Sequence, residues 1–163
     1  CATIVAAASP VRLDDPDAVR GKRVLVVDDG PTLTHGGMPH GAGFVAATAG
    51  GAAEIVDPRP FATPALAAIY ERFPHLGPVL PAMGYSAAQR RELAATIAAS
   101  GADIVVAGTP IDLARDLAIA QPVVRARYDY ADAGTPALWP LVATFLRAHG
   151  LSAGEGQGRR PNR

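Results

Sequence analysis

The chain has 163 residues, enough for one domain with a substantial core. Fifteen Lys and Arg balance fifteen Asp and Glu, so no global field favours nucleic acid or a membrane surface. No apolar run is long enough to span a bilayer, and the single cysteine, Cys1, cannot form an internal disulfide, which fits a reducing cytoplasm.

Ala2-Thr3-Ile4-Val5-Ala6 reads as a short strand that stops at Ala7-Ala8-Ser9-Pro10. A polar connection follows, in which Asp15 and Pro16 could cap and open one helical turn. Val24-Leu25-Val26-Val27 is a continuous β-branched, apolar run and predicts a strand buried on both faces. Asp28-Asp29-Gly30-Pro31 carries turn chemistry, and a Gly-rich loop with Thr32, Thr34, His35, Gly36, Gly37, His40, Gly41 and Gly43 leads into a helix from Phe44. Gly50-Gly51 closes that helix, and a strand is predicted over residues 53–56.

Thr63-Pro64 opens a helix through Tyr70 and Phe73. Ser86 and Gln89 have the spacing of a capping box, and Leu93 and Ile97 mark the buried side of the helix behind it. Asp103-Ile104-Val105-Val106-Ala107 is a second buried strand, followed by Gly108-Thr109-Pro110 and a short helix over residues 111–117. Residues 122–128 form a strand in which Arg125 and Arg127 alternate with apolar residues. Thr135-Pro136 is expected to cap the last helix, through Trp139, Leu141, Phe145 and Leu146. Residues 151–163 have no apolar pattern and read as a disordered tail behind a single domain of residues 1–150. Alternating strands and helices predict an α/β fold, a parallel sheet flanked by helices.

Ligands of such sheets bind beyond the carboxyl ends of the strands. That rule gathers Asp28-Asp29, the loop of residues 32–43, Asp57 and Arg59, Tyr85 and Thr109 on one edge. Thr34, Gly36, Gly37 and Gly41 offer backbone N–H groups to an anion, ahead of a helix N-terminus. His35 is the candidate proton-transfer residue, and His35 or His40 could also hold a phosphate. Arg59 sits between Pro58 and Pro60, a stiff mount for a guanidinium facing phosphate or carboxylate. Tyr85 and Thr109 complete the expected phosphate site, although Thr109 could equally cap a helix. Asp28 and Asp29 are either a turn-forming pair or carboxylates for Mg²⁺, and no metal site is assigned. Arg125 and Arg127 suit a structural or interface role. No P-loop, GxGxxG, CxxC, HExxH or EF-hand pattern is present.

The words AASPVRLDDPDAVRGKRVLVVDDGPTLTHGGMPHGAGFVAA, GAAEIVDPRPFA, YERFPHLGPVLPAMGYS and ADIVVAGTPIDL followed by PVVRARY resemble the cyclic 2,3-diphosphoglycerate synthetase family, whose bacterial members are often labelled GTPases. The resemblance implies the C-terminal part of a longer, cytoplasmic P-loop NTPase-like protein, in line with a chain that begins on Cys1. It implies ATP or GTP with Mg²⁺, bound mainly upstream, and a phosphorylated small-molecule substrate whose phosphates are joined in a phosphoanhydride. A GTPase or ATPase acting on another anionic metabolite fits it as well. It places Ala8, Ser9 and Pro10 in the loop beside the nucleotide base and leaves the isolated chain inactive. No nucleic-acid or membrane partner is expected, and a homodimer is possible. The competing expectations are a non-catalytic domain that binds a phosphorylated metabolite, and a subunit interface built from the Gly-rich loop and the Arg125/Arg127 strand.

Overall fold

The computed structural model describes residues 2–83 and 86–151. The chain divides into two compact units, Val11–Tyr128 and, separately, Cys1–Pro10 with Asp129–Arg163.

The larger unit is built on a six-stranded sheet. Its strands are β2 (Val11–Leu13), β3 (Arg23–Asp29), β4 (Glu54–Ile55), β5 (Leu80–Ala82), β6 (Ile104–Gly108) and β7 (Val123–Tyr128). The order is β2-β7-β6-β3-β4, with β5 also on β3. Strand β3 runs parallel to β4, β5 and β6, and β6 runs parallel to β7. Strands β4 and β5 share one edge of β3: Val24 pairs with Ile55, and Val27 with Leu80. The α/β fold with a mainly parallel sheet flanked by helices agrees with the sequence reading. One edge does not. Val11-Arg12-Leu13, expected to be irregular, is a strand antiparallel to β7. Three residues alternating apolar and charged are too short a pattern to separate from a loop.

The apolar run of β3 is buried on both sides, with Val24, Leu25, Val26 and Val27 all 0% exposed. On one face Val24 and Val26 join Val106, Val124 and Ala126 under Ala46 and Ala47 of helix α2 (Ala42–Ala49). On the other, Leu25, Val27, Val105 and Ala107 meet Leu66 of α3 (Pro64–Arg72) and Leu93 and Ile97 of α4 (Ala87–Ala99). Helix α4 starts on the expected capping box: Ser86 Oγ accepts from Gln89 N at 3.2 Å, and Gln89 Oε1 accepts from Ser86 N at 2.9 Å.

Several local expectations are corrected. The loop after β3 opens with a five-residue helix, α1 (Gly30–Thr34), because Asp29 Oδ2 accepts from both Thr32 N and Thr32 Oγ1. Pro31 pre-sets the backbone of that first turn. The predicted helix at residues 111–117 shortens to α5 (Leu113–Asp116), and its N-cap is Asp112, not Thr109.

In the smaller unit the strand expected at residues 2–6 does not form. Pairing goes instead to β1 (Ala7–Ala8), antiparallel to β8 (Ala131–Asp132). The last helix, α6 (Leu138–Ala148), begins after Thr135-Pro136, and Asp132 Oδ1 receives its Leu138 N–H at 2.9 Å. The tail expected beyond residue 151 lies outside the described residues.

Candidate functional site

Asp28 is the residue around which the sheet's carboxyl edge is arranged. It is the penultimate residue of β3, opposite Gly108 of β6, and is 0% exposed. Its two oxygens are both used: Oδ2 accepts from Gly41 N and Oδ1 from Gly43 N, each at 2.8 Å. These amides belong to the N-cap and first turn of α2. A carboxylate there meets unpaired N–H groups and the positive end of the helix dipole. The helix N-terminus that the sequence reading offered to a substrate anion is therefore filled by a side chain of the same domain.

The glycines of this region are glycines because of that carboxylate. A Cβ on Gly43 would lie 2.6 Å from Asp28 Oδ1, and one on Gly41 would lie 3.0 Å from both Cγ and Oδ1. A Cβ on Gly108 would lie 2.1 Å from Oδ1 and 2.5 Å from Gly43 N. Strand β6, the start of α2 and the end of β3 thus meet at distances that no side chain fits.

Burial pushes the Asp28 carboxyl above its ordinary value of 3.8. The N–H groups of Gly41, Gly43 and Phe44, and the charge of His40, pull it back down. His40 stacks on Phe44 with ring centroids 4.4 Å apart, and its Nδ1 is buried without a hydrogen-bond partner. The loop is tied at a further point, where Gly77 N donates to Pro39 O at 2.7 Å.

The residues singled out from sequence fall into separate groups. Thr34 Oγ1 donates to Gly30 O at 2.9 Å and lies 3.0 Å from Nδ1 of the exposed His35. Gly36 packs against the Thr32 carbonyl, where a Cβ would lie 2.4 Å away. Gly37 has φ +66° and open space around it. Gly41 spends its N–H on Asp28. Thr109 is buried, with Oγ1 accepting from Ile111 N at 3.4 Å. Tyr85 lies outside the described residues. Ala8, Ser9 and Pro10 belong to the smaller unit, where Ala8 is in β1 and Pro10 O accepts from Asp129 N.

Arg59 lies in a 3₁₀ turn, Arg59–Phe61, and its guanidinium is engaged. It pairs with Asp57 at 3.0 Å, donates to Leu76 O, and sits 4.9 Å from the centroid of the Tyr70 ring. Arg59→Ala should therefore lower stability by about 1–2 kcal/mol, chiefly through the carbonyl contact and the ring face. Urea denaturation checks this. An unchanged midpoint would show that these contacts add no net stability.

Arg125 and Arg127 have the structural contacts expected of them. Arg125 Nη2 donates to Pro110 O at 2.6 Å and so fastens the turn after β6. Arg127 Nη2 donates to Asp14 Oδ2 at 2.8 Å. The hydrogen bond from Arg127 holds the Asp14 carboxyl below its ordinary range.

Among the described residues no three His, Cys, Asp or Glu side chains form a group able to hold a metal ion, and no helix is long and apolar enough to cross a membrane. Asp28 is what sequence reasoning under-read. The signal was present as an Asp at a strand end, followed by Gly-x-Gly at the start of a helix.

No protein-family model matches the chain, and no solved structure matches it. It is 53% identical over 146 residues to the arginine synthetase ArcE of Thermococcus kodakarensis, covering 90% of this chain and 33% of that protein. The chain spans about a third of the length of the curated relative it matches, and is thus homologous to part of an enzyme. This match overturns the resemblance to the cyclic 2,3-diphosphoglycerate synthetase family. With it go the phosphoanhydride-forming and GTPase functions expected on that basis, and the match also overturns the competing expectation of a non-catalytic domain that binds a phosphorylated metabolite.

Proposed function

We propose that the chain forms part of an enzyme that makes arginine, driven by a nucleoside triphosphate, ATP or GTP with Mg²⁺. The observation that carries this reading is the 53% identity to an arginine synthetase over nearly the whole chain. Building a guanidinium in water expels water and is uphill, and a phosphoanhydride supplies the drive. The phosphorylated partner is then the nucleotide itself. The described residues offer it no helix N-terminus at α2, because Asp28 occupies that position. Its phosphates are assigned to the two-thirds of the relative that this chain does not span.

Within this reading the chain contributes the carboxyl edge of β3 and β6. Residues 35–39 form the exposed part of the loop, with His35 as the group that takes or gives a proton. Gly41 and Gly43 anchor its far end on Asp28.

A chimera tests the reading. This chain replaces the matching third of the Thermococcus kodakarensis protein, and arginine is followed by mass spectrometry with an amino-acid precursor that carries a ureido group in place of the guanidinium, ammonia, and ATP or GTP. Arginine should accumulate in step with nucleotide consumption. A folded chimera that makes no arginine, beside an active parent enzyme, would refute it.

A further inference from the structure

Helix α5 and the loop of residues 14–18 flank an open groove of about 470 Å³ on β7. This is within the size range of small-ligand sites, roughly 300–1,000 Å³. Its charged lining is Asp14, Asp15, Asp112, Arg125 and Arg127, with Val123 among the apolar residues. Asp14 and Arg127 neutralise each other across the bidentate contact. That leaves Arg125, whose Nη2 is held by the Pro110 carbonyl, against the carboxylates of Asp15 and Asp112, each of which has one oxygen taken by a backbone N–H, of Asp17 and Arg115 respectively. One anchored cation and two anions over an apolar surface complement a molecule with one carboxylate and a cationic far end. The groove also adjoins the site already described, because Gly108 packs on Asp28 and Asp112 follows four residues later.

We propose that this groove binds an α-amino acid with a cationic side chain, its carboxylate on Arg125 and its cationic group between Asp15 and Asp112. The inference rests on the arginine-making reading for its choice of ligand, and on the groove's charges for its location. A guanidinium donates through a planar fork that matches a carboxylate, which is the reason for two aspartates and not an aromatic wall.

The test is an NMR titration of the chain with L-arginine and with agmatine, which lacks the carboxylate. L-Arginine should shift the groove residues saturably, and agmatine should bind at least tenfold more weakly. Asp112→Asn keeps a side-chain oxygen for the Arg115 N–H, so α5 stays capped while the charge is lost. It should weaken both ligands roughly tenfold. Arg125→Lys should weaken arginine and leave agmatine unchanged. Equal binding of the two ligands, no saturable shift in the groove, or a parent-like Asp112→Asn would overturn the proposal. The chimera separates the two readings. If it makes arginine and Asp112→Asn leaves product inhibition by arginine unchanged, the groove assignment alone fails. If it makes none while the groove still prefers arginine, the functional reading alone fails.

Discussion

Asp28→Asn should cost about 2–4 kcal/mol and lower the melting temperature by roughly 5–15 °C. The asparagine keeps one acceptor for two N–H groups and turns an NH₂ toward one of them. Each buried group left unpaired costs about 1–3 kcal/mol. The effect has a distinctive pH dependence. Burial raises the folded-state pKa of Asp28 above its unfolded value. The native carboxylate is therefore penalised at neutral pH, and the penalty disappears as pH falls through the folded pKa to about the unfolded value of 3.8. Asparagine does not titrate, so its deficit relative to the parent should grow as the solution is acidified over that window. Urea denaturation of both proteins between pH 7 and pH 4, compared as a difference, isolates this group, since the other carboxylates titrate in both. A deficit that shrinks on acidification would mean that the N–H groups outweigh burial.

Gly108→Ala should be at least as damaging, at about 3 kcal/mol or more, although it removes nothing. Its new methyl would stand 2.1 Å from Asp28 Oδ1, 2.5 Å from Gly43 N and 2.8 Å from Gly43 Cα. The last two are backbone, so no rotamer change relieves the clash and β6 must separate from the start of α2. Gly37→Ala is the control. Its positive φ costs about 1–2 kcal/mol in backbone strain, and nothing lies within 4 Å of the added carbon. Thermal denaturation should rank Gly108→Ala well below Gly37→Ala. The reverse order would show that β6 and α2 are not in the contact described.

Much of the scaffold was legible because its signals are local. The unbroken Val24-Leu25-Val26-Val27 run could only be a strand buried on both faces, and Ser86 with Gln89 announced the start of α4. Strand β2 was missed because three residues carry too little periodicity, and its partner lies far along the chain, with Val11 opposite Tyr128 and Leu13 opposite Ala126. At the candidate site, the Gly-rich loop was recognised as a place of close backbone approach, but the object approached was misjudged. Gly41, Gly43 and Gly108 are close in space only once β3 and β6 pair, and nothing in their spacing says that they surround Asp28. Arg59 was read as a presented cation for the same reason, since the Leu76 carbonyl and the Tyr70 ring that hold it are contributed by later segments. The family resemblance was carried by long words shared along the chain, and similarity over 146 residues to an arginine synthetase corrected it.

Amide hydrogen exchange at Gly41 and Gly43 tests the central claim, that Asp28 anchors the loop from inside the domain. In the parent both amides should be protected to the same degree as the β3 amides, because each donates to a carboxylate that is 0% exposed. In Asp28→Asn they should exchange about 30-fold faster or more, as a loss of about 2 kcal/mol requires, and the core amides of Val26 and Val106 should lose no more protection than the fall in global stability accounts for. Gly41 and Gly43 exchanging in the parent at the rate of an open loop would contradict the account.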